Sequence, residues 1–152
     1  MIVPAQECHV CQMLEVGIRQ EDLNEMQATS GLPPEVSLRR SLRASIKAWA
    51  ALDKRGIAYC MFGVAPWPHT PELGSPWLLA TPAFDQHAFD IIRNTKWIVK
   101  AMGEDFDFLV NYVDYRLITR LPWVEWAGFK YDDFIPEFGV ERRPFLRFSK
   151  AT

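Results

Sequence analysis

The run Ile57 to Val64 (IAYCMFGV) constrains this chain more than any other segment. It follows the turn Asp53-Lys54-Arg55-Gly56 and carries apolar residues at both odd and even positions. Successive side chains of a strand point to opposite faces, so a strand that is apolar on both must lie inside a sheet covered on both sides. Gly56 suits the positive φ of a tight turn, and Ala48 to Leu52 is therefore read as the antiparallel partner in a hairpin.

The flanking periodicities supply the cover. Cys8 to Val16 (CHVCQMLEV) has β-compatible apolar positions and is predicted as a strand, followed by a short helix carrying Ile18, Leu23 and Met26. Gly31, Pro33 and Pro34 break the chain, after which Leu38, Leu42 and Ile46 predict one apolar helix face, with Arg39, Arg40, Arg43 and Lys47 on the others. Pro66, Pro68, Pro71 and Gly74 predict an irregular loop in which Trp67 is an exposed aromatic anchor. Trp77 to Thr81 is a short strand, and His87 to Met102 a long helix packed through Phe89, Ile92, Val99 and Met102. A strand from Phe106 to Val113 leads to Asp114, the N-cap of a helix with Leu117, Ile118, Leu121 and Val124, which Pro122 kinks or restarts before Gly128. Phe129 to Phe148 gives two strands parted around Pro136 and Gly139. The order is β-α-α-β-β-β-α-β-α-β-β, antiparallel strands followed by a βαβ unit, which is a mixed α/β fold.

Composition then removes whole classes of function. At 152 residues and 49% hydrophobic, the chain makes one domain spanning 1–152. A net charge of −2 argues against nucleic-acid binding, and no apolar run is long enough to cross a membrane, so a cytosolic protein is expected. The three cysteines make no disulfide framework, since Cys60 lies in the core strand. Cys8 and Cys11 form a CxxC that invites zinc or redox chemistry. Zinc lacks a second ligand pair among Cys60, His69 and His87, however, and the redox reading needs a helix start where a strand is predicted. Glu104, Asp105, Asp107 and Asp114 follow no cation-loop spacing, and no GxSxG is present. Metal ligands are expected to be absent. The six tryptophans are expected mostly in the core, and Arg142, Arg143, Arg147 and Lys150 are expected to guard an edge strand.

The segment NYVDYRLITRLPWVEWAGF, with its strand, Asp turn, helix and closing Gly128-Phe129 pair, resembles the GNAT N-acetyltransferase superfamily. The series MFGVAP (61–66), GSPWLLAT (74–81), LVNYVDYR (109–116), WVEWAGF (123–129) and PFLRF (144–148) further resembles the small GNAT-like proteins of short-tailed coliphage-type podoviruses. The resemblance covers residues 8 to 148 and implies a mainly antiparallel sheet of six or seven strands flanked by about four helices. It also implies an acetyl-CoA site whose diphosphate lies on a glycine-rich loop at a helix N-terminus. The corresponding stretch, Thr81 to Ala88, has no glycine, loses a donor at Pro82 and places Asp85 against the anion.

The usual tyrosine acid falls at Trp123-Val124, neither of which donates a proton usefully. The expectation drawn from these departures is a non-catalytic GNAT-like phage protein, acting in virion assembly or as a minor internal virion component through contacts with virion or host proteins. It would reside in the host cytoplasm and the virion, without cofactor. The alternative is an N-acetyltransferase that uses acetyl-CoA to modify an amine. It would have Tyr112 and Tyr115 as candidate acids, Leu79, Ala80, Thr81, Gln86, His87 and Asn111 as candidate cofactor contacts, and Glu72, Asp85 or His87 as base. A third reading is an inhibitor of a host protein. An open cleft where the strands splay favours the enzyme; a splay filled by Trp77 or Phe84 removes it.

Overall fold

The computed structural model describes residues 1–152. The elements are β1 (Ile2–Pro4), α1 (Glu7–Val16), α2 (Gln20–Thr29), α3 (Pro34–Ala44), β2 (Lys47–Leu52), β3 (Ala58–Trp67), β4 (Thr70–Ala80), α4 (Phe84–Gly103), β5 (Phe108–Asp114), α5 (Leu121–Trp126), β6 (Lys130–Phe138) and β7 (Arg143–Ala151), with a 3-10 turn at Tyr115–Arg120. One seven-stranded sheet runs β1-β2-β3-β4-β5-β7-β6. Every pairing is antiparallel except β4 with β5. The expected mixed, mainly antiparallel sheet is present.

β3 is the central strand its composition demands: seven consecutive residues from Ala58 to Val64 are buried. Ala58 and Met61 join Val10, Met13 and Leu38 under α1 and α3 on one face. Cys60 and Phe62 join Ile91, Ile98 and Met102 under α4 on the other. No helix is long and apolar enough to cross a membrane.

Several expectations are corrected. Cys8 to Val16 is helix α1, not a strand, because Val10 and Met13 bury together at helical spacing, and Gln6 and His9 close a reciprocal cap on the first turn. The first strand is Ile2–Pro4. The stretch expected as a loop is the continuation of a hairpin: β3 runs to Trp67, β4 starts at Thr70, and His69 takes the turn at φ 65°. Its prolines are tolerated because Pro66 and Pro76, paired with Gly74 and Val64, lie at positions whose missing N–H points away from the partner strand. Helix α4 buries Ile91, Thr95, Ile98, Val99 and Met102, leaving Phe89 and Ile92 exposed. None of the six tryptophans is fully buried, and Trp97 and Trp126 are exposed. β6, not β7, is the edge strand; Arg147 of β7 pairs with Asp132 of β6 at 2.7 Å. Asp114 caps the 3-10 turn by accepting from the Arg116 N–H, and Pro122 sits in the first turn of α5, where no helical donor is lost.

Candidate functional site

β4 and β5 pair at only two registers, Leu73 with Phe108 and Gly74 with Leu109, and then diverge. Gly74 allows the approach at the last rung, since a Cβ there would lie 2.6 Å from the Phe106 ring. Beyond it a cleft of about 450 Å³ passes through the sheet. On the α4 side it is walled by Thr95, Ile98, Trp123 and Val124, and on the α2–α3 side by Glu25, Met26, Trp67, Tyr112 and Phe138.

Where the backbone ladder stops, side chains take the exposed strand groups. Asn111 of β5 donates from Nδ2 to the Pro76 carbonyl of β4, and its Oδ1 accepts the Tyr112 N–H at 2.8 Å. At the far end the Ala80 N–H donates to Asp22 Oδ2 at 2.9 Å, and the Ala80 carbonyl accepts from the Arg19 N–H at 2.9 Å. Between them lies Leu78. The alternation of β3–β4 bonds, fixed by the Thr81 N–H to Tyr59 carbonyl bond, directs the N–H and C=O of Leu78 into the opening.

Asp22 is fully buried and holds two arginines, Arg19 Nε at 2.7 Å and Arg120 at 2.8 Å. This network ties α2 to the end of β4 and to the turn after β5, and so fixes the width of the cleft at its open end. Arg19 also lies over the Phe84 ring, 4.7 Å from its centroid, at the start of α4.

Glu25 sits one turn along α2 from Asp22. Its Oε2 accepts the Asp114 N–H at 3.1 Å, while Oε1 has no protein partner and the carboxyl makes no salt bridge. Burial pushes the Glu25 carboxyl above its ordinary range, and the repulsion of Asp22 and Asp114 adds to this, against the opposing pull of the Asp114 N–H and Arg120. Burial also pushes Asp114 up, but the Arg116 guanidinium and N–H outweigh it and hold that carboxyl below its ordinary range.

The residues singled out from the sequence divide into two groups. Leu79, Asn111 and Tyr112 line the cleft. Ala80 is engaged by Asp22 and Arg19, and Thr81 is buried with its N–H bonded to Tyr59. Gln86 and His87 belong to the first turn of α4, where His87 stacks on Tyr59 at 4.3 Å. Tyr115 is exposed against Phe134, outside the cleft. Glu72 and Asp85 are exposed and do not line it. Trp67 is no free anchor: its Nε1 donates to the Val110 carbonyl at 2.7 Å and its ring meets Tyr112 edge-on. Neither expected plug fills the splay, since Trp77 turns aside to donate to Ser45 Oγ and Phe84 lies under Arg19. Sequence reading missed Glu25, which looks like any solvated helix residue; only the register of α2 over the splay distinguishes it. Trp123, beside Val124 where the resemblance expects a tyrosine, donates to Thr95 Oγ1 at 3.0 Å. Cys8 and Cys11 are exposed on α1, and no cluster of three metal-binding side chains exists in the chain.

The splayed sheet has a clear set of structural counterparts. A GCN5-related N-acetyltransferase from Kribbella flavida superposes with a TM-score of 0.73 at 14% identity, covering 100% of this chain and 97% of that one. A GNAT-superfamily phosphinothricin acetyltransferase from Sinorhizobium meliloti, solved in complex with AcCoA, gives 0.74 at 12% identity over 99% and 87%. A ribosomal-protein-alanine N-acetyltransferase from Brucella melitensis gives 0.74 at 13% over 100% and 99%. No protein-family model and no curated protein sequence matches the chain. These counterparts overturn the expectation of a non-catalytic virion or assembly protein. All three of these counterparts are acetyltransferases, one of them holding AcCoA, and the cleft that distinguishes the two readings is open. At such identities the likeness establishes one thing: the chain has the fold of the GNAT N-acetyltransferases.

Proposed function

We infer that this protein is an N-acetyltransferase that uses acetyl-CoA to acetylate an amine. The observation that carries the reading is the β4–β5 splay, in which two rungs of parallel pairing give way to a through-sheet cleft with a strand N–H and C=O at Leu78 directed into it.

Acetyl-CoA is a substrate in this reading, and the residues present fit it. Leu78 offers the backbone pair for an extended amide-bearing arm, and Ile98, Trp123 and Val124 give that arm an apolar bed. For the diphosphate, the loop glycines are absent, yet the N–H groups of Ala83 and Asp85 at the start of the 20-residue helix α4 have no backbone partner. A helix N-terminus of that length favours an anion, and the side chain of Asp85 opposes it. When bound, acetyl-CoA supplies an acetyl group activated as a thioester.

The chain's own residues then have two tasks. Glu25 Oε1, unpartnered and on the α2 side, accepts a proton from the incoming ammonium, and its raised pKa makes it a stronger base than an ordinary carboxylate. Tyr112 Oη, on the strand that borders the splay, gives a proton to the departing sulfur. One N–C bond forms and one C–S bond breaks; the second proton lost from nitrogen passes through solvent to restore Tyr112, amide and thiol leave, and Glu25 releases its proton to solvent. The test is acetyl-CoA-dependent acetylation of a mixed amine panel read by mass spectrometry, with Glu25→Gln as control. Acetylated product from the wild type and none from Glu25→Gln supports the assignment. No product from any amine at high enzyme contradicts it.

A further inference from the structure

We propose that the amine acceptor is a small arylalkylamine, one primary ammonium carried on a short chain from a flat aromatic group, held between Glu25 and the aromatic wall of Trp67, Tyr112 and Phe138. The proposal rests on the acetyltransferase reading and gives that site its second substrate.

The wall is a built surface. Tyr112 and Phe138 stack at 4.6 Å with 24° between their planes, and Trp67 closes on Tyr112 edge-on at 5.9 Å. Phe138 is backed in turn by the buried Phe145 at 4.6 Å, and Trp67 is pinned through its indole N–H to Val110. Rings already fixed by such contacts need no ordering when a ligand arrives, and they favour a planar apolar group by offset or edge-on contact. The Thr29 and Ser30 hydroxyls on this side turn back to carbonyls of their own helix.

Charge fixes the other end of the ligand. Only two charged residues line the cleft, Glu25 and Arg120. Arg120 is engaged by the buried Asp22, which leaves one free carboxylate oxygen, Glu25 Oε1. One unpaired anion in an apolar wall complements one cation, and a cation beside aromatic faces gains further attraction from the rings. A polyamine would bring a second ammonium with no carboxylate to meet it. An amino acid would bring a carboxylate with no free cation. The cleft, about 450 Å³ in all and shared with the acetyl-CoA arm, leaves the α2–α3 side room for a small molecule and not a folded segment.

The experiment separates this proposal from the reading beneath it. Binding of phenethylamine and tryptamine to the intact protein is measured by calorimetry without nucleotide, and turnover is measured with acetyl-CoA against butylamine, spermidine and an alanine-led peptide. Phenethylamine is expected to exceed butylamine in kcat/KM by about tenfold, the worth of one good aromatic contact. Phe138→Leu is expected to raise the phenethylamine KM by about tenfold while leaving acetyl-CoA affinity intact, which also shows that the variant folds. Spermidine or the peptide equal to or better than phenethylamine overturns the acceptor class, as does a Phe138→Leu variant with unchanged KM. If the arylalkylamines bind but acetyl-CoA does not, the acceptor pocket stands and the transferase reading fails. If acetyl-CoA binds but no arylalkylamine is bound or acetylated, the pocket assignment fails alone.

Discussion

Asn111 on β5 and Pro76 on β4 are joined across the splay by a side-chain hydrogen bond to the Pro76 carbonyl, a rung that replaces the backbone ladder that ends two residues earlier in each strand. Proline has no N–H to offer at that position, so β4 presents only an acceptor there, and an amide side chain is the neutral group that satisfies it while also capping the Tyr112 N–H. Asn111→Ala leaves both strand groups unpaired. Chemical denaturation is expected to show a loss of about 1–3 kcal/mol, with weaker acetyl-CoA binding as the strands spread.

Asp22 is the second strut. Replacing it by alanine leaves Arg19 and Arg120 without their shared buried anion and the Ala80 N–H without an acceptor. The expected cost is about 3–5 kcal/mol, read as a lower urea midpoint. Asp22→Asn keeps an acceptor for Ala80 and is expected to lose less.

Glu25→Gln separates stability from activity. The folded carboxyl has a raised pKa because burial disfavours its charge, so between the ordinary glutamate range and the raised value the folded state binds more protons than the unfolded one. The Glu25 contribution to stability therefore falls as pH rises through that window, and the ionised group is a liability at neutral pH. The neutral amide of the variant can still accept from the Asp114 N–H. Glu25→Gln is expected to melt higher than wild type at pH 7, to lose that advantage below the ordinary glutamate range, and to lose acetylation. In the wild type, acetylation is expected to rise with pH through the raised pKa.

Gly139→Ala tests how the β6–β7 turn closes the α2 side. Gly139 has φ 73°, a Cβ there would lie 2.3 Å from the Ala28 carbonyl oxygen, and the neighbouring Val140 and Glu141 N–H groups cap the carbonyls at the end of α2. Backbone conformation alone costs about 1–3 kcal/mol, and displacing the cap adds to it. A lower melting temperature together with faster amide exchange at the end of α2 is the expected result.

Thiol reactivity should split two to one. Cys8 and Cys11 are exposed on α1, whereas Cys60 is fully buried and burial pushes its thiol far up. Iodoacetamide on the native protein is expected to modify Cys8 and Cys11, and Cys60 only after denaturation, read by peptide mass mapping.

The parts of the fold that depend on local pattern were legible in the sequence. The two-faced apolar run of β3, the Gly56 turn, helix α4 and the Gly139 turn all follow from periodicity and from the few residues that accept unusual backbone angles. Helix α1 reads as a strand because CHVCQMLEV satisfies a strand pattern as well as a helix pattern over so short a span; the burial of Val10 and Met13 under α3 decides between them. The prolines of β3 and β4 read as breakers because their tolerance depends on which way each missing N–H points, a property of register and not of composition. The cleft was the least legible. Tyr112 and Asn111 could be placed on a strand beside it, but Glu25 reaches it from helix α2, 89 residues before its hydrogen-bond partner Asp114. The glycine-poor loop is a weaker sign of lost anion binding than its composition suggests, since the free N–H groups of a helix start do not require glycine.

The most direct test of the central claim is isothermal calorimetry of the purified protein against acetyl-CoA, with coenzyme A in parallel. The account predicts a dissociation constant on the order of micromolar, set by the apolar bed of the splay and the α4 N-terminus. No heat at millimolar ligand, from a protein whose thermal melt shows it folded, would contradict it.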